Sequence, residues 1–135
     1  MLFLHYNLND MAEHNILGKW GEAEAAAFLG RKGYVIKECD WRIGKRDIDI
    51  VALSPDWREL VFVEVKTRSD NRWREPEQAI DRKKIRNLSF AANAYLKVHQ
   101  VQLECRFDII TIIGHRPVVE RIEHIENAFN PLLSF

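Results

Sequence analysis

Apolar and polar residues alternate along two runs within residues 44–68, which predicts two β-strands. Because side chains alternate between the faces of a strand, Asp47 and Asp49 share one face of the first run. In the second run Glu64 and Lys66 share a face in the same way. Both predicted strands therefore carry charged side chains on one face of an otherwise apolar sequence.

A polar turn joins the two runs, so an antiparallel hairpin is the natural interpretation. A four-residue loop at 55–58 places Asp49 opposite Glu64 and Asp47 opposite Lys66. Residues paired in this way have Cβ atoms roughly 4.5–5.5 Å apart, and like charges at that separation destabilise the hairpin. A cation between the two carboxylates would remove the penalty.

The remaining periodicity predicts a single α/β domain over residues 1–135, with a mixed sheet between helices. Residues 1–17 show no clean period, and 1–13 are expected to form a flexible N-terminal extension. The predicted elements are a helix at 18–32 capped by Gly33, a strand at 34–40, a basic turn at 41–45, the hairpin, a helix at 78–98, and strands at 105–113 and 118–125.

Two acidic residues outside the hairpin have more than one interpretation. Glu22 lies on the first predicted helix, where it is either part of a functional site or a solvated first-turn residue favoured by the helix dipole. Asp108 lies on a late strand beside Arg106, and a structural role as the buried partner of an arginine is favoured over a role in a site.

Composition is that of an ordinary globular protein, with 47% hydrophobic residues, 30% charged residues and a formal net charge of zero. No segment approaches the roughly 20 apolar residues that span a bilayer, and the start of the chain lacks the basic residues of a secretory signal. A cytoplasmic location is therefore expected. Two widely separated cysteines and five dispersed histidines predict neither a disulfide framework nor a structural zinc site.

Basic residues surround the acidic hairpin in the sequence. A neutral total charge argues against a uniformly basic surface but allows a local basic patch. The alternative for each of these residues is ordinary solvated surface charge. The candidates for contacts with a nucleic-acid backbone are Arg46, Arg68, Arg72, Arg74, Lys83 and Lys84.

Two carboxylates and a lysine on one patch suit the hydrolysis of phosphodiesters. Hard cations such as Mg²⁺ prefer carboxylate and phosphate oxygens, so Asp49 and Glu64 are candidates to hold one. Lys66 would stabilise negative charge on the attacking hydroxide or on the phosphate. The alternative is a cross-strand network of ion pairs without a metal, and the residues alone leave the two interpretations equal.

The motifs D-I-D-I-V-A and V-F-V-E-V-K resemble the signature of the PD-(D/E)xK nuclease superfamily. Together with G-K-W-G-E-A-E, P-E-Q-A-I, R-K-K and R-F-D-I-I, they resemble the small bacterial YraN-like family, over about residues 14–113. The arrangement of a glutamate on the first helix, an aspartate and Glu-Val-Lys is also similar to that of archaeal Holliday-junction resolvases. The departures from the YraN-like pattern are Asp47 and Gln78, where glutamate is common.

This resemblance implies a restriction-endonuclease-like three-layer sandwich, with a mixed central sheet flanked by helices. It implies Glu22, Asp49 and Glu64 as metal ligands, Lys66 as the catalytic lysine, and Asp47 in a supporting role. The implied activity is that of an endonuclease that uses Mg²⁺ or Mn²⁺ and cuts DNA, including branched DNA in repair or recombination. Similarity to the resolvases further implies a homodimer.

Two other functions are compatible with the sequence. A non-catalytic nucleic-acid-binding module would keep the nuclease fold and its basic surroundings, while the acids serve structure. A scaffold protein would fit the neutral net charge and the apolar ends of the chain.

Overall fold

The computed structural model describes residues 2–69 and 81–130. Its elements follow the predicted order of helix, three strands, helix and two strands. They are α1 (Leu2–Arg31), β1 (Val35–Ile43), β2 (Arg46–Leu53), β3 (Glu59–Arg68), α2 (Arg82–Val98), β4 (Glu104–His115) and β5 (Val118–Ile125). Within residues 2–69 and 81–130, no helix combines the length and the apolar character needed to cross a membrane.

The five strands form one open mixed sheet in the order β1-β2-β3-β4-β5. Strands β3 and β4 are parallel, and the other neighbouring pairs are antiparallel. The parallel pair is joined through α2, as a parallel connection requires a crossover. The predicted α/β class and mixed sheet are confirmed.

Each face of the sheet packs against one helix, which gives three layers. Under α1, Ala25 and Leu29 are fully buried against apolar residues of β2, β3 and β4. Under α2, Leu88, Ala91 and Tyr95 pack against Phe62 and other apolar residues on the opposite face. This arrangement is consistent with the expected sandwich of helix, sheet and helix.

The predicted register of the central hairpin is confirmed over four residue pairs, which end before the two acidic positions. Backbone pairing between β2 and β3 runs from Leu53↔Leu60 to Ile50↔Val63. The expected pair of Asp49 and Glu64 would be the next step along this ladder. The strand loses its regular alternation there, because Ile48 packs in the cluster under α2 whereas Ile50 packs in the cluster under α1.

Several boundaries differ from the predicted ones. Helix α1 starts at Leu2 instead of residue 18, so it includes the segment in which the sequence shows no clean period. Strand β1 continues to Ile43 through the predicted basic turn, because it pairs along most of β2. Helix α2 starts at Arg82, capped by the Asp81 side chain, and 78–80 lie outside the described residues.

The end of α1 agrees with the prediction. Gly33 has φ 93°, a left-handed conformation that glycine adopts without strain. The Gly33 N–H donates to the Gly30 carbonyl and the Tyr34 N–H donates to the Leu29 carbonyl, both at 3.0 Å. This pair of bonds is the Schellman motif, which satisfies the last carbonyl groups of a helix.

Asp108 is completely buried, and every observation supports its predicted structural role. Arg106 donates to both carboxylate oxygens at 2.9 Å, the His124 ring lies 2.7 Å from Oδ2, and the Asn127 N–H donates at 2.9 Å. Burial alone would raise the pKa of Asp108, but the bonds from His124, Arg106 and Asn127 outweigh it and lower that pKa.

Helix α1 approaches β3 closely at one glycine. A Cβ atom on Gly21 would lie 1.9 Å from Thr67 Oγ1 and 2.8 Å from Thr67 Cβ. A side chain at this position therefore forces the helix and the strand apart. The absence of a Cβ lets α1 lie directly on β3, and Glu22 follows immediately in the chain.

We expect Gly21→Ala to destabilise the protein by about 1–3 kcal/mol, because the added methyl group overlaps Thr67. Gly18→Ala is the matched control, since nothing lies within 4 Å of its added Cβ. That change should stabilise the helix by roughly 0.5–1 kcal/mol through alanine's higher helix propensity. Urea denaturation measures both values, and equal effects of the two substitutions would contradict the close approach.

Candidate active site

The candidate site lies where β2 and β3 stop pairing. Beyond Ile50↔Val63, the Val65 N–H of β3 donates to the Asp49 side chain at 2.8 Å. The carboxylate thus replaces a backbone carbonyl as acceptor, and the two strands diverge. Asp49 is 7% exposed and Glu64 is 3% exposed, so both acidic groups lie inside the molecule.

The two oxygen atoms of Glu64 have different surroundings. Oε1 lies 3.4 Å from the Lys66 ammonium group and 3.5 Å from that of Lys84. Oε2 is buried and has no hydrogen-bond partner among the described residues. An unpaired buried carboxylate oxygen is costly, so it marks a position where a missing donor or cation would bind.

Glu22 reaches the same cluster from α1. The close approach of Gly21 to Thr67 places this part of the helix next to β3, and Asp49, Asp47 and Glu64 all act on the pKa of Glu22. Burial raises the pKa of Glu22, and the nearby Asp40 raises it further. A glutamate with a raised pKa can hold a proton that a second carboxylate accepts.

Burial and the charge of Glu64 raise the pKa of Asp49 to about 8. The hydrogen bond from Val65 acts in the opposite direction but does not compensate. At neutral pH Asp49 therefore keeps its proton unless a cation replaces it. Perturbation of this size by burial and a specific charged neighbour is typical of functional sites.

The site brings together Glu22, Asp49, Glu64 and Lys66, the four residues that the motifs indicate. Asp47 does not lie opposite Lys66 as predicted, because the pairing of β2 with β3 ends before it. It pairs with Arg42 of β1, and its charge still raises the pKa values of Asp49 and Glu22.

The predicted nucleic-acid contacts are distributed around this site. Arg46 lies 4.1 Å above the Phe90 ring and donates to Asn87 at 3.3 Å, and Lys83 is exposed. Arg68 donates to the Thr67 carbonyl at 2.9 Å, at the end of β3. Lys84 lies 3.5 Å from Oε1 of Glu64, and its side chain is 34% exposed. Arg72 and Arg74 fall outside the described residues.

Two open cavities lie near the end of β3. One, of about 290 Å³, is lined by Lys66 and by the first turns of α2, including Lys83 and Lys84. The other, of about 500 Å³, lies between α1 and the turn after β4, and neither Lys66 nor Lys84 lines it. The smaller cavity is therefore the one that gives access to the lysines of the site.

Sequence reasoning missed two features of the site. Lys84 contacts Glu64 from a different element, and no local pattern connects a residue of α2 with one of β3. Asp40 acts on Glu22 from β1 and is paired with Arg42 at 3.1 Å. Its positive φ of 51° is unusual for a residue other than glycine and could not be read from the sequence.

The residues present fit a hard divalent cation by their chemistry. In the described part of the chain, no three histidine, cysteine or acidic residues converge in the geometry of a complete metal site. Mg²⁺ does not require one, because it keeps several waters and binds through one or two carboxylates. The unpaired Oε2 of Glu64 beside Asp49 is the oxygen that such an ion would use.

We expect Asp49→Asn to change how stability depends on pH. Without metal, folded Asp49 keeps its proton to about pH 8, whereas the unfolded chain releases it near pH 4. The wild type therefore loses stability as pH rises between about 4 and 8, and asparagine removes this loss. Urea denaturation in chelator at pH 5 and pH 8.5 measures the difference.

Asp56→Asn is the control, because the Ser54 hydroxyl and the Arg58 N–H lower the pKa of Asp56. Its stabilising effect is present above its unfolded pKa and is lost only at more acidic pH. The substitution should therefore change the free energy of unfolding equally at both pH values. The same pH-independent behaviour from Asp49→Asn would contradict the raised pKa.

The chain has close relatives among bacterial proteins. A model of the family described as "Uncharacterised protein family UPF0102" matches residues 21–112, which include all four central site residues. The UPF0102 protein of Phocaeicola vulgatus is 50% identical over 122 residues, covering 90% of this chain and 98% of that protein. The UPF0102 protein of Bacteroides thetaiotaomicron is 50% identical over 123 residues, covering 91% and 99%. The chain therefore belongs to the UPF0102 family, the YraN-like family that its motifs resemble.

Proposed function

We propose that this protein is a divalent-metal-dependent endonuclease of the PD-(D/E)xK type that hydrolyses phosphodiester bonds in DNA. The observation that carries the proposal is the unpaired Oε2 of Glu64, buried beside Asp49 and next to a lysine. A purely structural carboxylate is expected to have its oxygens satisfied, as those of Asp108 are. Glu64 instead leaves one oxygen available within an acidic pair.

Glu22, Asp49 and Glu64 would hold Mg²⁺ or Mn²⁺. When bound, the ion lowers the pKa of a coordinated water and neutralises charge that builds up on the phosphate. The protein residues supply the rest of the site. The Val65 N–H orients Asp49 by a hydrogen bond of 2.8 Å, and Glu22 approaches Asp49 from α1.

Lys66 acts on the charge that develops during hydrolysis. Water adds to phosphorus while the bond to the leaving oxygen breaks, and negative charge grows on the phosphoryl oxygens. A positioned ammonium group stabilises this charge more in the transition state than in the substrate. Lys66 lies on the same face of β3 as Glu64, so it is held close to the reacting phosphate.

The surroundings suit a nucleic-acid strand that enters over α2. Arg46 and Lys83 present positive charge on the side where the smaller cavity opens. Phosphate contacts of this kind supply affinity and orientation without reading sequence. Branched DNA in repair or recombination is the substrate class we propose, cut by a homodimer that acts on two opposed strands.

We expect the wild-type protein to cut four-way-junction, flap or linear DNA in Mg²⁺ or Mn²⁺. Glu64→Gln keeps the side-chain volume but removes the charge, and it should reduce cleavage to background. Lys66→Ala should lower kcat by about 10²–10³-fold, the usual effect of removing a donor to transition-state charge. Gel assays with labelled strands measure the rates.

Lys97→Ala removes a lysine from the far end of α2 and controls for the general loss of surface charge. If no substrate is cut by the wild type, or the Glu64 and Lys66 variants cut equally well, the nuclease proposal fails.

Metal binding can be tested without DNA. We expect calorimetry to detect Mn²⁺ binding to the wild type, and we expect Asp49→Ala and Glu64→Ala to lose it. Because the ion replaces a proton in the acidic pair, binding should strengthen as pH rises towards 8. Binding that is unchanged in both variants would locate the ion elsewhere.

A non-catalytic nucleic-acid-binding module is the second candidate. It is favoured by the lack of a complete three-ligand metal geometry among residues 2–69 and 81–130. This function predicts DNA affinity that falls steeply with salt and does not depend on metal. It would be rejected if binding were absent, or if Mn²⁺ were required for it.

A further inference from the structure

Two lysines contact Glu64, although the motif V-F-V-E-V-K contains only one of them, Lys66. The ammonium groups of Lys66 and Lys84 lie 3.4 and 3.5 Å from the same oxygen, Oε1. The other oxygen has no partner among the described residues. The sequence places Lys84 among the candidate DNA contacts, so its position on an acidic side chain of the site requires a different explanation.

Tertiary packing fixes the position from which Lys84 reaches Glu64. The Lys84 N–H donates to the Asp81 side chain at 2.9 Å, which anchors the first turn of α2. Further along the helix, Leu88 and Tyr95 are buried against the sheet. The base of the Lys84 side chain is therefore held at a constant distance from β3.

Lys66 cannot serve Glu64 and the phosphate equally well at the same time. In the proposed hydrolysis, the ammonium group of Lys66 stabilises negative charge on the phosphoryl oxygens. If Lys66 turns to the phosphate, Glu64 loses one of its two cations while it stays 3% exposed. The proposed metal ion would bind Oε2, so Oε1 is the buried atom that would lose its partner, and a second ammonium group on Oε1 prevents that loss.

We propose that Lys84 is a positioning residue that holds Oε1 of Glu64, which leaves Oε2 available and frees Lys66 for the phosphate. This inference rests on the proposed nuclease function and adds a role that the motif does not contain. Lys84 then acts through Glu64 and does not contact the DNA backbone.

The neighbouring Lys83 provides a matched comparison. It has the same charge and lies in the same turn of α2, but it is exposed and forms no ion pair with Glu64 in the described structure. A residue that only binds phosphate groups should affect KM and the salt dependence of binding. A residue that positions Glu64 should affect kcat.

The first experiment measures kcat and KM for cleavage of a four-way junction in Mn²⁺ at constant salt. Lys84→Ala should lower kcat by about 10–100-fold with KM unchanged, the usual effect of losing a partner that orients a ligand. Lys84→Arg, which restores a cation of similar reach, should recover most of this loss. Lys83→Ala should raise KM. A rise in KM with unchanged kcat in Lys84→Ala would overturn the proposal and make Lys84 a DNA contact.

The second experiment does not need activity. Urea denaturation in chelator compares Lys84→Ala in the wild-type and Glu64→Gln backgrounds. The substitution should lower the denaturation midpoint in the wild type and leave it unchanged, or raise it, in the glutamine background. Equal effects in both backgrounds would overturn the proposal. If the wild type cuts no DNA, the nuclease function fails, and this comparison alone decides whether Lys84 holds Glu64.

Discussion

The buried pair of Asp49 and Glu64 is the constraint on which the rest of this structure depends. Removing two carboxylates from water is expensive, and their proximity adds repulsion. Only partial compensation is present: a backbone N–H for Asp49, two ammonium groups for one oxygen of Glu64, and none for the other oxygen. The sheet opens at this point, because the Asp49 side chain takes the Val65 N–H and ends the backbone ladder.

Elements distant in sequence converge on this pair. Glu22 of α1 lies near the pair because Gly21 allows the helix to approach Thr67 closely. Lys84 of α2 lies near it because the apolar face of that helix packs on the same sheet. The packing of the two helices on the sheet therefore determines which charged side chains surround Asp49 and Glu64. A change in helix packing alters the site even when no charged residue is replaced.

Asp108 is a structural acidic residue of the same protein, with which the carboxylates of the candidate site can be compared. It is as buried as the site acids, but four donors from Arg106, His124 and Asn127 satisfy it and lower its pKa. Asp49 has one backbone donor and a raised pKa. The two aspartates lie on different strands of one sheet, so the difference comes from their partners and not from residue type or burial. This contrast is the physical reason for assigning function to one and structure to the other.

Much of this protein could be derived from local pattern. Alternation predicted the strands of the hairpin, and the length of the turn predicted its register, because both depend on neighbours within a few residues. Gly33 ended the first helix for the same reason. The start of that helix could not be derived, because residues 2–17 carry no clean amphipathic period. The extension of β1 to Ile43 likewise depends on pairing with β2, which is not a local property.

The order of elements, the α/β class and the identity of the charged residues on the hairpin all follow from the amino-acid pattern. The compensation of these charges does not follow from it and depends on the packing of the helices on the sheet. The tertiary structure separated Asp47 from Lys66, brought Lys84 onto Glu64 and left one carboxylate oxygen without a partner. The reason is that periodicity depends on neighbours within one strand and fails where β2 loses its alternation between Ile48 and Ile50, whereas charge compensation depends on distances between elements that packing sets.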